Sequence, residues 1–283
     1  MAFAQNQGAR IYWDEQGQGQ PLLLIMGLGY TAHMWYRVRP SCAAQYRTVA
    51  FDNRGVGRSD VPPGPYSIAL MASDAAAVLD AAGIDSAHVF GVSMGGMIAQ
   101  EFALAYPKRV RSLILGCTAP GGPLAVRAEP DAIELLKARD MTPEQLAKAA
   151  IPFIYDPATP LGRIDEDLAV RRPWLPRPEG YIAQLLGILP WEAYSRLPQI
   201  ATPTLVIHGE SDRLVPPENS RLIAERIPGA KLVTIPHAGH LFLTDQPEAA
   251  AHAILEFLAE HAASASEDAN SASRNASEEK CAS

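Results

Sequence analysis

His88-Val89-Phe90-Gly91-Val92-Ser93-Met94-Gly95-Gly96 turns from strand to helix around a serine. Residues 88–91 read as a short buried strand. Residues 94–106 keep helical apolar spacing and stop before Pro107, as expected because a residue preceding proline is disfavoured in the helical region. The G-x-S-x-G pattern thus stands in the context that gives it chemical meaning, a strand followed by a sharp turn and a helix. Such a turn strains the serine backbone and lifts Oγ at the carboxyl edge of a sheet. A side chain at Gly91 or Gly95 would strike neighbouring backbone. The helix N-terminus adds positive potential where an oxyanion would form. Ser93 is the candidate nucleophile, and the competing reading is a chance match in a helix start rich in small residues.

Outward from this turn, strands and helices alternate. Residues 9–14 and 21–26 flank Gly17-Gln18-Gly19 and are expected to form a hairpin. Residues 46–52 form a β-branched and aromatic run that ends at Asn53-Arg54-Gly55. A helix is expected over 70–82, closed by Gly83, and a strand over 110–115. Further on, strands over 203–207 and 231–235 are each followed by a helix, over 217–227 and 247–261. This rhythm predicts an α/β fold with a mostly parallel sheet covered by helices on both faces. The apolar runs Leu22-Leu23-Leu24-Ile25 and Leu113-Ile114-Leu115 fit strands buried on both sides.

Residues 121–200 break the rhythm. They carry 11 of the chain's 24 prolines, so long regular elements are not expected there. A stretch too long for a loop, between two strands of one sheet, reads as an inserted cap. The expected organisation is a core of residues 1–120 and 201–262, a cap over 121–200, and a disordered tail over 263–283. That tail is rich in Ala and Ser and lacks Val, Leu, Ile and aromatics, so it cannot bury enough apolar surface to order itself.

A serine hydroxyl is a weak nucleophile without a base. In this kind of sheet the acid and the histidine follow in chain order. Leu205-Val206-Ile207 leads into His208-Gly209-Glu210-Ser211-Asp212, which places a carboxylate past a strand end. Ile235-Pro236-His237-Ala238-Gly239-His240 places histidines past the next one. All three would meet at the carboxyl edge, where open α/β sheets bind ligands. Asp212 is the favoured acid, with Glu210 as the near alternative; Asp245 reads better as the N-cap of the last helix. His240 is the favoured base, His237 its rival and His208 a packed turn residue. His237 and His240 alone make a poor metal site without further ligands. The oxyanion hole would use the backbone N–H groups of Met94 and Leu28, the latter in Met26-Gly27-Leu28-Gly29, where Gly27 lets substrate approach the backbone.

The segments IMGLG, FDNRGVGRSD, GVSMGG, PTLVIHGESDRLVP and HAGHLF, in that order, resemble the α/β-hydrolase superfamily, and most of all its branch of 3-oxoadipate enol-lactonase-like and related esterases. The resemblance covers residues 9–261. It implies an α/β-hydrolase fold and hydrolysis of a carboxylic ester or lactone through an acyl-enzyme on Ser93, with His240 and Asp212 completing the triad and no metal or organic cofactor. It also gives Asp52 and the turn from Arg54 to Ser59 structural roles. One departure is Met26-Gly27 where many members have His-Gly; because the donor is a backbone N–H, activity is expected to survive. A serine rather than an aspartate disfavours dehalogenase and epoxide-hydrolase chemistry. Carbon–carbon bond hydrolysis, perhydrolysis and a receptor-like binding role remain alternatives.

Gly27-Leu28-Gly29-Tyr30-Thr31-Ala32, with Asp52 beyond it, also fits a dinucleotide fingerprint. The bulk of Tyr30 to Trp35, where a fingerprint helix should press closely on its sheet, argues against it. In the cap, Trp174 and Trp191 are candidate substrate-binding residues, with sealing of the cap onto the core as the alternative. The arginines around Trp174 are candidates for holding a substrate carboxylate. With 283 residues, 48% of them hydrophobic and 19% charged, the chain has the composition of a globular protein. A net charge of −7 without a basic run disfavours nucleic acid and anionic membrane as partners. The three cysteines, Cys42, Cys117 and Cys281, have no disulfide or metal-ligand spacing. With no signal peptide in view, a cytoplasmic location is the expectation.

Overall fold

The computed structural model describes residues 2–138 and 140–262. The expected disordered tail, 263–283, lies outside the described residues. Eight strands form one sheet: β1 Ala2–Asn6, β2 Ala9–Gln16, β3 Gln20–Ile25, β4 Tyr46–Phe51, β5 Ala87–Val92, β6 Val110–Gly116, β7 Thr204–Gly209 and β8 Lys231–Ile235. Their order is β1-β2-β4-β3-β5-β6-β7-β8. β1 and β2 run antiparallel, as do β2 and β4, and the remaining pairings are parallel.

Consecutive residues of the central strands feed opposite layers, as the two-residue period of a strand requires. Leu23 and Ile25 join one cluster with Val89, Leu113 and Leu115. Leu22 and Leu24 join the other with Phe90, Ile114 and Ile207. The first layer is closed by α2 Ile68–Ala81 and α3 Met94–Ala105, through residues such as Met71, Leu79, Ile98 and Phe102. The second is closed by α1 Arg39–Ala43 and, at the chain's far end, by the helices over Phe242–Asp245 and Pro247–Glu260, through Cys42, Phe242, Ile254 and Leu258.

The hairpin expected from residues 9–14 and 21–26 is not formed. β2 pairs with β1 and β4, and β4 lies between β2 and β3. The glycine turn crosses over the approach to β4: a Cβ at Gly17 would lie 2.2 Å from the Ala43 carbonyl oxygen and 2.4 Å from that of Tyr46. The turn signal was therefore sound, but the strands it joins are not partners. The true hairpin is β1–β2, joined at Gln7-Gly8.

Residues 121–200 hold no long element, as their prolines led one to expect, but they are largely helical, in pieces of at most 11 residues. They hold α4 Pro130–Lys137, α5 Pro143–Ala149, α6 Ile151–Ile154, α7 Leu161–Arg171 and α8 Pro178–Ile188. Proline stands in the first turn of four of these five, where its missing N–H costs nothing and its fixed φ favours the helix. The stretch leaves β6 and returns to β7 through an antiparallel bridge between Gly121 and Glu192, so its two ends meet. The remaining helices are α9 Glu218–Arg226, α10 Phe242–Asp245 and α11 Pro247–Glu260. Among the described residues no helix is long and apolar enough to cross a membrane.

Candidate active site

Ser93 sits between β5 and α3 with φ +56° and ψ −124°, a conformation that strains any residue with a Cβ. Its backbone is held on both sides. The Ser93 N–H donates to the Gly116 carbonyl at 2.9 Å, and the Ser93 carbonyl accepts from the Gly96 N–H at 2.9 Å and the Thr118 hydroxyl at 2.7 Å. The two flanking glycines are required by close approach. A Cβ at Gly95 would lie 2.1 Å from the Ile25 carbonyl oxygen, and one at Gly91 2.1 Å from that of Gly95. The start of α3 is thereby pressed onto the end of β3. The same contact brings the Gly27 loop to the serine: a Cβ on Gly27 would lie 3.0 Å from Ser93 Cβ and 3.5 Å from its Oγ. Gly27, Leu28 and Met94, the residues expected to frame the oxyanion, thus belong to backbone segments that adjoin Ser93.

The expected acid and base, Asp212 and His240, come together from the ends of β7 and β8. His240 Nδ1 donates to Asp212 Oδ2 at 2.8 Å, and both side chains are buried. The other carboxylate oxygen, Oδ1, accepts the backbone N–H groups of Leu214 at 2.9 Å and Val215 at 2.8 Å. Gly209 makes the approach of the two loops possible, since a Cβ there would lie 2.1 Å from the Gly239 carbonyl oxygen. The rivals fall elsewhere. Glu210 and His237 are exposed, and His237 takes a positive φ of 53°.

Charge settles on this pair in opposite senses. Burial pushes the Asp212 carboxyl up, but the imidazoles of His240 and His208 more than offset that and hold it below the usual carboxylate value. Burial lowers the pKa of His240, while the Asp212 carboxylate and neighbouring Cys117 raise it by more, leaving it well above the ordinary histidine value. Each group favours the charge of the other, as a base with an orienting acid requires.

Three features were not read from the sequence. His208 is no mere turn residue: its Nε2 lies 3.0 Å from Asp212 Oδ2. Cys117, just past β6 with φ +37°, is a close neighbour of His240. The donor atoms of Cys117, Asp212 and His240 lie within 4.8 Å of one another, and among the described residues only this group has a composition suited to a metal. Four N–H donors already occupy Asp212, so a cation would have to displace hydrogen bonds to reach it. The third feature is Gln184, fully buried on α8. Its Oε1 accepts the Gly29 N–H at 3.0 Å and its Nε2 donates to the Arg54 carbonyl at 2.7 Å, tying residues 121–200 to the loop after β3. A single glutamine in the apolar run Ile182-Ala183-Gln184-Leu185-Leu186 was the available signal.

Asp245 does not cap the last helix, whose N-cap is Gln246. Its carboxylate instead accepts the Gly239 N–H at 2.7 Å, the Asp156 N–H at 3.2 Å and the Thr159 hydroxyl at 2.6 Å, which fixes the loop that carries His240. Burial pushes this carboxyl up to about 6. Asp52 is equally committed: it accepts the Ala32 N–H at 2.8 Å and pairs with Arg58, so it serves the turn and not a ribose. Trp191 packs in the core cluster and its indole N–H donates to Glu101 at 2.8 Å. Trp174 stacks on His33 with ring centroids 4.6 Å apart and lies beside the Arg58 guanidinium. Both tryptophans join residues 121–200 to the core.

The family model of the alpha/beta hydrolase fold matches residues 20–247. RutD of Azorhizobium caulinodans, described as a candidate carbamate hydrolase, is 34% identical over 92% of this chain and 99% of its own length. A poly(3-hydroxyalkanoate) depolymerase of Ectopseudomonas oleovorans is 36% identical over 84% of both chains. Among solved structures, the enol-lactonase from Burkholderia xenovorans LB400 superposes with a TM-score of 0.80 at 26% identity, covering 91% of this chain and 100% of the enol-lactonase. With the strained serine turn, the sheet order and this match over most of its length, the chain belongs to the α/β-hydrolase family and is a hydrolase.

Proposed function

We propose that the protein hydrolyses a carboxylic ester or lactone through an acyl-enzyme on Ser93. The observation that carries the reading is the buried Asp212–His240 pair at 2.8 Å, delivered to the sheet edge that also holds the strained serine. His240 Nδ1 keeps its proton on Asp212, which leaves Nε2 as the base. In the first half-reaction Nε2 takes the Ser93 proton while Oγ attacks the carbonyl carbon. The Leu28 and Met94 N–H groups stabilise the oxyanion, and Gly27 forms the wall beside it. The leaving alcohol, or the opened ring hydroxyl of a lactone, takes its proton from His240. Water then enters, gives a proton to Nε2 and attacks the acyl carbon, and Ser93 leaves with the proton returned. The depolymerase among the relatives and the enol-lactonase among the structures both support an ester-type bond as the scissile one.

The test is hydrolysis of p-nitrophenyl esters, from acetate to long acyl chains, by the wild type and Ser93→Ala in parallel. Turnover by the wild type should fall by a factor on the order of 10⁴ in the variant, with thermal unfolding unchanged. Equal rates in both would remove Ser93 as nucleophile. Turnover confined to carbamates or to carbon–carbon substrates would replace the ester reading while keeping the triad.

A further inference from the structure

Asp212 is flanked by two imidazoles, not one. His208 Nε2 lies 3.0 Å from Asp212 Oδ2, the same oxygen that accepts from His240, and 2.8 Å from the Val215 carbonyl oxygen. Both neighbours of Nε2 can only accept, so Nε2 carries a proton and shares it between them. Nδ1 faces the hydroxyl of Ser220, near the start of α9, and Ser220 supplies the donor that keeps this tautomer. His208 and Ser220 are each about 1% exposed, so water does not compete for these bonds. Asp212 therefore receives four N–H donors: two backbone groups on Oδ1, two imidazoles on Oδ2.

We infer that His208 is a positioning residue which divides the charge of Asp212 between two imidazoles and so limits how strongly that charge holds a proton on His240. This inference rests on the triad reading above. With the second donor in place, the carboxylate orients His240 without making its imidazolium too stable to give up its proton. With His208 removed, Oδ2 would serve His240 alone. The imidazolium would gain stability, and less neutral base would be present at a given pH. The other charged groups near His208 are Glu210, Glu218 and Arg221, which line a polar cavity bordering its ring together with Ser220 and Thr234. Those facing His240 are Asp212 and Cys117.

The experiment is the pH profile of kcat/KM for a p-nitrophenyl ester, with thermal unfolding, for the wild type, His208→Leu, His208→Gln and Ser220→Ala. Gln places an amide N–H where Nε2 now stands. In His208→Leu the acid limb should move up by ~0.5–1 pH unit and kcat/KM at neutral pH should fall by about 3- to 10-fold, a full unit being tenfold. His208→Gln should return most of both. Ser220→Ala, which frees the tautomer, should move the limb the same way by less. An unmoved limb in a folded His208→Leu, or a His208→Gln no better than Leu, would overturn the proposal. If the Leu variant fails to fold, an unmoved limb in Ser220→Ala does so. A proton NMR spectrum of the resting wild type needs no turnover: two downfield imidazole N–H resonances should both shift in Asp212→Asn. A single such resonance would overturn the shared carboxylate whatever the substrate. Absence of Ser93-dependent turnover would instead defeat the ester reading, leaving the NMR result to judge the hydrogen-bond network alone.

Discussion

The carboxyl edge of the sheet and the seam made by residues 121–200 are both held by close backbone contact, and the seam adds side-chain hydrogen bonds between elements far apart in the chain. At the sheet edge, backbone presses on backbone. Gly95 lies against Ile25, Gly91 against the first turn of α3, and Gly209 against the loop of His240. The backbone segments that carry Ser93, Asp212 and His240 are placed by main-chain contacts that leave no room for a Cβ. Across the 121–200 seam, backbone also presses on backbone, Gly180 on Gly55 and Gly187 on Tyr66, and the Tyr66 N–H donates to the Ala183 carbonyl at 2.9 Å and the Leu241 N–H to the Ile154 carbonyl at 2.8 Å. Side chains add to this: Gln184 reaches Gly29 and Arg54, Trp191 reaches Glu101, and Asp167 on α7 accepts from Tyr36 and Thr244. The same stretch leaves Leu161 77% and Leu189 69% exposed, whereas the sheet strands β3 to β7 are almost wholly buried. A catalytic centre needs sub-ångström placement, which packed backbone supplies.

This contrast can be broken in four places. Asp212→Asn has the largest expected effect. Because Asp212 raises the pKa of His240, the acid limb of kcat/KM in the wild type should lie above the ordinary histidine value of 6.5, with activity appearing as pH rises through it. Without the carboxylate, burial dominates and the limb should fall below that of the wild type. The rate itself should drop by a factor on the order of 10⁴ as the tautomer is lost. A pH–rate profile measures both, and a limb that stays in place would show that Asp212 does not set it.

Gly95→Ala strikes the sheet edge directly. Its Cβ would meet the Ile25 carbonyl at 2.1 Å, and backbone on both sides cannot yield cheaply. Stability should fall by about 3 kcal/mol or more, with most activity lost. Denaturant unfolding would expose a wild-type-like variant, which would remove the close-approach account of the motif.

Gln184→Leu attacks the seam. It leaves the Gly29 N–H and the Arg54 carbonyl buried without their partner, at about 1–3 kcal/mol each. Because Gly29 adjoins Leu28, kcat should also fall, on the order of tenfold, less than the 10²–10³ that follows loss of an oxyanion donor itself. A fall in stability with kcat unchanged would confine Gln184 to a structural role. Leu161→Gln marks the small end of the scale: at 77% exposure its effect on the free energy of unfolding, read from denaturant titration, should stay within about 0.5 kcal/mol.

How legible each region was follows from the local marks it leaves. The strand–turn–helix around Ser93 and the parallel sheet were readable from glycine at a close contact and from apolar runs, and the candidate acid and histidine were picked out as a carboxylate and an imidazole just past strand ends. The prolines of residues 121–200 mark short elements and not where each begins, because proline both limits a helix and, in its first turn, starts one. The turn at Gly17 misled because a glycine records that the chain bends and not which strand it then joins. Asp245 misled because a short polar residue before a helix resembles a cap, while its carboxylate is drawn to the Gly239 N–H across the loop.

Local sequence by itself determined the strained turn at Ser93, the class of fold and a short list of candidate acids and bases, since backbone conformation and apolar periodicity act over a few residues. Tertiary structure alone buried Asp212 against His240 and left Glu210 and His237 exposed. It alone put His208 on the far imidazole position of the same carboxylate oxygen, and Gln184 on the loop after β3. Those are choices among chemically equivalent side chains. They are made by burial and by hydrogen-bond partners that come from strands and helices distant in the chain, and such partners exist only once the sheet has brought its strand ends together.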